Sequence, residues 1–168
     1  RPQDIPFVIE CLRAAVHVPD AFFVICGSGT EYGKLRTFVE AEKYSNLLLL
    51  SGLPRADYDK LVRSCHVGLL FLDHRFTIPN FPSRLLSYLQ AGLPVIACTD
   101  PATDIGDIAQ AGGFGWKCPS DDPAAFVRTV ERACSADLAS MGDAGRMYFS
   151  AHYTAEQSYE IIMRGLER

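Results

Sequence analysis

Two short stretches of this 168-residue chain carry residue types that could hold an anion. The first, Val24-Ile-Cys-Gly-Ser-Gly-Thr30, runs an apolar segment into a Gly27-Ser28-Gly29 turn and then into a helical pattern. Glycines let the backbone come close to a pyrophosphate, and a helix start presents N–H groups to it. The dinucleotide fingerprint is incomplete, because its third glycine is missing and Glu31 at the helix start repels phosphate. Nor does an acidic residue follow at the required distance of about 20 residues. The turn reads either as plain structure or as a backbone lining for a sugar nucleotide, and NAD(P) fits it poorly. The second stretch is Pro79-Asn-Phe-Pro-Ser-Arg-Leu-Leu-Ser-Tyr88. Proline in the first turn of a helix costs no hydrogen bond, and it leaves the N–H groups of Ser83, Arg84 and Leu85 aimed at the preceding loop. The helix dipole adds about half a positive charge at that end, and Arg84 brings a permanent cation that can grip a phosphate with two hydrogen bonds. The same spacing also describes an ordinary helix start with a surface arginine.

Other chemistry is thinly represented. Asp73-His-Arg-Phe-Thr-Ile78 sets three polar residues in a row, either facing a sugar or forming a solvated loop. No His/Asp metal spacing is visible. The six cysteines lie 15 or more residues apart, without a CxxC pair for zinc or for a redox dithiol, and read as reduced thiols. His17, His66 and His152 fall at element boundaries, and Trp116 among glycines reads as packing or as a contact to another domain. No side chain stands out as catalytic.

The elements that must position these stretches follow from periodicity. Ile5, Val8, Ile9 and Leu12 repeat at helical spacing, and the apolar run Ala21–Cys26 then reads as a buried strand. The unit recurs: a helix through Leu35 and Phe38, a strand at Leu47–Leu50, a helix capped by Asp57, a strand at Val67–Leu72, a helix at Pro82–Ala91, and a strand at Val95–Cys98. Asp104–Ala111, Phe114–Lys117, Asp122–Cys134, Ala136–His152 and Ala155–Leu166 continue as helix, strand and three helices. Short apolar strands alternating with helices predict an α/β fold, a Rossmann-like doubly wound parallel sheet with helices on both faces. Ligands of such sheets sit at the carboxyl ends of the strands. The length suits one domain. With 16 basic and 20 acidic residues and no basic run, a general nucleic-acid binder is excluded. No apolar run approaches the ~20 residues of a membrane span. The opening Arg1-Pro-Gln-Asp runs directly into a helical pattern without an initiator methionine, as a piece of a longer protein would.

Pro82-Ser-Arg-Leu-Leu-Ser-Tyr-Leu-Gln-Ala-Gly-Leu-Pro-Val-Ile-Ala97 resembles the donor-site helix and strand of GT-B glycosyltransferases of the family 4 type. Val24–Leu35, Leu50-Ser-Gly-Leu-Pro54 with Tyr58–Cys65, and Gly112–Phe126 resemble the flanking segments, so the likeness runs from about Asp20 to the end. It implies the C-terminal, donor-binding half of such an enzyme, spanning 1–168. The first strand of that half and the acceptor-binding N-terminal domain would precede Arg1, and Arg1 itself is either the last remnant of a phosphate-binding loop or a solvated terminus. The fragment alone is then expected to be inactive. The resemblance implies a nucleotide-diphospho-sugar donor, no cofactor and no metal, and transfer of a hexosyl group with retention of configuration. The donor-binding set is Gly27, Ser28, Gly29, Asn80, Phe81, Pro82, Ser83, Arg84 and Ser87. Pro79 and Ser87 stand where the family carries two glutamates, so Ser87 offers ribose a single hydroxyl.

The function expected is that of a glycosyltransferase donor domain in surface polysaccharide or glycolipid biosynthesis. The acceptor, a glycan or a lipid-linked one, would sit on the missing domain. The location expected is cytoplasmic, peripheral at the inner membrane face, with membrane contact only through the missing part. The alternative is a non-catalytic Rossmann-like module that binds a nucleotide or a protein.

Overall fold

The computed structural model describes residues 3–78 and 80–166. Helices and strands alternate as α1 (Ile5–Ala15), β1 (Phe23–Cys26), α2 (Tyr32–Glu42), β2 (Leu47–Leu50), α3 (Arg55–Ser64), β3 (Gly68–Phe71), α4 (Arg84–Ala91), β4 (Val95–Thr99), α5 (Ile105–Ala111) and β5 (Gly115–Pro119). Three helices, α6 (Pro123–Cys134), α7 (Leu138–His152) and α8 (Ala155–Leu166), close the chain. All strand pairs are parallel, as helical crossovers require. Among the described residues the strands form two sheets, β1-β2 and β3-β4-β5, where the sequence suggests one continuous sheet.

Strand β4 shows how the sequence builds two layers. All five of its residues are buried. The alternation of a strand then sends Ile96 and Cys98 to a core with α1, α2 and α6, and Val95 and Ala97 to a second core with α4 and α5. Phe126 of α6, fully buried, packs its ring 6.4 Å from Phe23 of β1 and 5.5 Å from Phe71 of β3. Trp116 belongs to the first core and not to the surface.

The helix boundaries follow local chemistry. Asp122 caps α6 by accepting from the Ala125 N–H at 2.9 Å, and Asp137 caps α7 by accepting from the Ser140 N–H at 3.1 Å. Asp57 is not the cap of α3, since that helix starts at Arg55 after Pro54 and Asp57 lies in its first turn. Helix α4 starts at Arg84 rather than Pro82 and stops at Gly92, whose φ of 73° suits glycine. A side-chain carbon on Gly142 of α7 would sit 2.1 Å from the Gly92 carbonyl oxygen, so α7 presses directly on this turn. Arg146 adds a hydrogen bond to the Ala91 carbonyl at 3.1 Å, a cation at the negative end of α4. Tyr148, Phe149 and Tyr153 pack on the second core, whereas Tyr159 on α8 is exposed. No helix among the described residues is long and apolar enough to cross a membrane.

Candidate functional site

The Gly27-Ser28-Gly29 turn follows β1 and the Asn80–Arg84 segment leads into α4. Both line one cleft of about 1100 Å3, whose lining runs along β1 and β3 from Phe22 and Val67 to Gly27 and Leu72 at their carboxyl ends. Gly29 has a φ of 139°, and an added side chain at either Gly27 or Gly29 would meet open space, so the bare backbone is what this turn offers the cleft. Glu31 beside it is answered by Lys34, whose ammonium lies 2.5 Å from the carboxylate.

Across the cleft, the N–H of Leu85 donates to the Pro82 carbonyl at 2.9 Å and that of Leu86 to the Ser83 carbonyl at 3.2 Å. Leu85 therefore does not aim its N–H at the cleft, contrary to the expectation for a helix opening at Pro82. The tight first turn uses it. The Ser83 and Arg84 N–H groups have no carbonyl partner among the described residues. The Ser83 hydroxyl makes no capping bond, and its side chain is exposed on the cleft wall.

Arg84 is braced from a direction the sequence did not suggest. Its guanidinium donates to the Tyr58 hydroxyl and lies 5.2 Å from the centre of the Tyr58 ring. Tyr58 comes from α3 and lines the same cleft. The loop before α4 is anchored from below. The Asn80 N–H donates to the Thr103 hydroxyl at 3.3 Å, and that hydroxyl donates to the buried Asp100 carboxyl at 2.9 Å. Phe81 is half exposed and stacks edge-on against Tyr153 with 5.4 Å between ring centres.

Gly27, Ser28, Gly29, Asn80, Phe81, Pro82, Ser83 and Arg84 thus share one cavity, while Ser87 does not line it. Arg84 and Tyr88 are one turn apart and share the cleft-facing stripe of α4, and Ser87 is rotated about 100° from Tyr88, into solvent. Pro79 and Arg1 lie outside the described residues. The Asp73–Ile78 loop turns elsewhere. Asp73, buried, accepts from the Arg75 backbone N–H at 3.0 Å and from its guanidinium at 2.8 Å, which holds the carboxyl well below the usual carboxylate range. Arg75, Phe76, Thr77, Ile78 and Asn80 line a separate hollow of about 330 Å3. Asp4, Asp73 and His74 bring ligand-type atoms within 4.8 Å of one another, a grouping that spacing could not reveal because Asp4 comes from the start of α1. All six cysteines are free thiols. Burial pushes the Cys11 and Cys98 thiols up, while the hydrogen bond from Cys98 lowers that of Cys118.

Residues 4–146 match the family described as "Glycosyl transferases group 1". The chain belongs to that family. A curated relative, the probable glycosyltransferase WbjE of Pseudomonas aeruginosa, is 26% identical over 160 residues, which cover 95% of this chain and 40% of WbjE. Among solved structures, HepE from Anabaena in complex with UDP superposes with a TM-score of 0.75 at 16% identity, over 98% of this chain and 45% of that one. WaaG, a glycosyltransferase involved in lipopolysaccharide biosynthesis, gives 0.67 at 17% identity over 90% and 40%. The fold of this group 1 chain is therefore the GT-B type α/β fold, and the chain spans less than half the length of these relatives.

Proposed function

We propose that this chain is the donor-binding part of a glycosyltransferase, a C-terminal half that takes a nucleotide-diphospho-sugar. The observation that carries the reading is the meeting of two anion-suited backbones in one cleft, the Gly27–Gly29 turn and the α4 start, with the Arg84 cation on the same cleft wall and bonded to Tyr58. The diphosphate sits at the Ser83 and Arg84 N–H groups, at the positive end of α4, with the Ser83 hydroxyl and the Arg84 guanidinium as further donors. As the glycosyl bond breaks, negative charge grows on the leaving phosphate. Donors already fixed in a partly dehydrated cleft stabilise that charge by several kcal/mol without reorganising. The braced arginine and the anchored Asn80 loop supply that fixity. The acceptor, a glycan or a lipid-linked one, belongs to a further domain of the whole protein. Transfer of a hexosyl group with retention, in the cytoplasm or at the inner membrane face, completes the reading. A role in surface polysaccharide or glycolipid assembly is supported by the likeness to WbjE and WaaG. The non-catalytic module gains no comparable support, because the chain belongs to an enzyme family and keeps both halves of the cleft mouth.

The test is a calorimetric titration of the natural polypeptide with UDP, GDP, ADP, their common sugar conjugates and NAD, repeated on Arg84→Ala. One nucleoside diphosphate should bind saturably and lose roughly 1–3 kcal/mol in the variant, the scale of a lost charged hydrogen bond. Equal affinity in both proteins contradicts the assignment of Arg84.

A further inference from the structure

Three of the six cysteines meet in the first core, where the proposed donor chemistry has no use for them. Cys11 of α1, Cys98 of β4 and Cys118 of β5 are each at most 1% exposed. None of the other three thiols, Cys26, Cys65 and Cys134, belongs to that core.

Strand pairing sorts the three further. Cys98 and Cys118 are partners in the parallel register of β4 and β5. Residues opposite one another on neighbouring strands project to the same face, and both of these side chains enter the first core. A strand spacing of about 4.8 Å places their Cα atoms inside the range of roughly 4.4–6.8 Å that disulfides span. The thiols already interact. Cys98 hydrogen-bonds to Cys118, and this bond is the main reason the Cys118 thiol titrates below its ordinary value. Burial holds the Cys98 thiol well above its own. Cys11, on a helix, has no such register and is likewise raised by burial.

The pair is thus asymmetric in the way a two-step oxidation requires. The thiolate is the nucleophile, so Cys118 is the thiol that attacks first, and Cys98 stands beside it to resolve the product. The two are far apart in sequence, which hides them where redox dithiols are read as CxxC. Access is through the sheet edge. Strand β5 is the outer strand of β3-β4-β5 among the described residues, and exposed Lys117 and Pro119 flank Cys118. Local opening of an edge strand admits an oxidant close to water in size, whereas a bulky one needs the core to part.

We propose that Cys98 and Cys118 are a redox-active dithiol, which hydrogen peroxide closes to a reversible disulfide across β4 and β5. The Cys118 thiolate attacks one peroxide oxygen, the O–O bond breaks, and the leaving hydroxide takes up the proton lost by Cys118 to become water. The Cys98 sulfur then attacks the sulfur of the Cys118 sulfenic acid, the S–O bond breaks, and the Cys98 proton leaves with the hydroxyl as a second water. A thiol reductant reopens the bond by exchange. Cys98 directly precedes Thr99 and Asp100, and Asp100 anchors the Asn80 loop through Thr103. The bond therefore ties the edge strand to the strand end that supports the cleft mouth.

The experiment treats the folded natural polypeptide with a fixed excess of hydrogen peroxide, alkylates the remaining thiols after unfolding, and maps the cysteines by mass spectrometry of proteolytic fragments. Cys11 is the internal control, since it is as buried as the pair and has no partner in register. The fragments holding Cys98 and Cys118 should appear joined and lighter by the two thiol hydrogens, at least about tenfold sooner than Cys11 loses its thiol. Dithiothreitol should separate them again, and dilution of the protein should leave the rate unchanged. In Cys98→Ala the Cys118 sulfenic acid has no resolving partner and dimedone should trap it there, whereas in Cys118→Ala residue Cys98 should take up none. A joined fragment that contains Cys11, or a link between two copies that fades on dilution, overturns the proposal. So does a pair that stays reduced, or passes to irreversible sulfinic acid, while exposed Cys134 is oxidised. Should either variant unfold, the map of the unmodified polypeptide decides alone, and absence of the joined fragment is fatal. None of these outcomes requires nucleotide binding.

Discussion

Replacing Tyr58 tests whether Arg84 is held ready for a phosphate or merely rests on a neighbour. The tyrosine contributes an aromatic face 5.2 Å from the guanidinium and a hydroxyl that accepts its hydrogen bond. An exposed cation–aromatic contact is worth roughly 0.5–1 kcal/mol, and an ordinary hydrogen bond about the same. If both serve to fix Arg84 in its binding position, Tyr58→Ala costs roughly 1 kcal/mol of affinity for the nucleoside diphosphate, about fivefold in Kd. Tyr58→Phe, which keeps the ring, costs about half of that free energy. The assay is calorimetric titration of both variants and of each combined with Arg84→Ala. Once Arg84 is gone, removing Tyr58 should change nothing further, because the two residues act as one unit. Tighter binding in Tyr58→Ala would refute the reasoning, since Tyr58 would then compete with phosphate for the arginine. A full, additive loss in the double variant would refute it too, by giving Tyr58 a ligand contact of its own.

Three further outcomes follow from the packing and the charges. Phe126→Ala should destabilise the fold by about 3–5 kcal/mol in urea unfolding, because the ring is fully buried between β1 and β3; a loss under 1 kcal/mol would contradict its bridging role. Gly142→Ala forces a carbon against the Gly92 carbonyl and should cost about 1–3 kcal/mol, read as a lower urea midpoint, with an unchanged midpoint as the contrary result. Asp73 is held below the ordinary carboxylate range by Arg75, so the stability it contributes is complete above about pH 4 and is lost as pH falls towards its lowered pKa. The gap in urea midpoint between the native protein and Arg75→Ala should therefore be widest near neutral pH and narrow below pH 4, and a gap independent of pH would rule the pairing out.

Much of the fold was legible because apolar runs and caps are local signals. Val95–Cys98 is apolar without interruption and proves to be a strand buried on both faces, and Asp122, where the sequence places a helix start, caps α6. The limits were equally physical. The α4 start moved from Pro82 to Arg84 because a tight first turn claims the Leu85 N–H, a geometric detail that residue type does not specify. Ser87 was placed in the site by its position in a motif, yet helix rotation carries it away from the cleft that Arg84 and Tyr88 face. Tyr58 and Thr103 were missed because each meets its partner, Arg84 or Asn80, from a distant element. The Asp57 cap failed for a simpler reason: Pro54 lets α3 begin a turn earlier.

The central claim, that a nucleoside diphosphate binds between the Gly27–Gly29 turn and the α4 start, is tested most directly by a crystal structure of the natural polypeptide with the diphosphate selected by titration. The account predicts phosphate oxygens within hydrogen-bond distance of the Ser83 and Arg84 N–H groups and of the Arg84 guanidinium, with the glycine turn across from them. A nucleotide bound in the hollow beside Arg75 and Thr77, or anywhere that leaves Arg84 on Tyr58 without a phosphate, would contradict it.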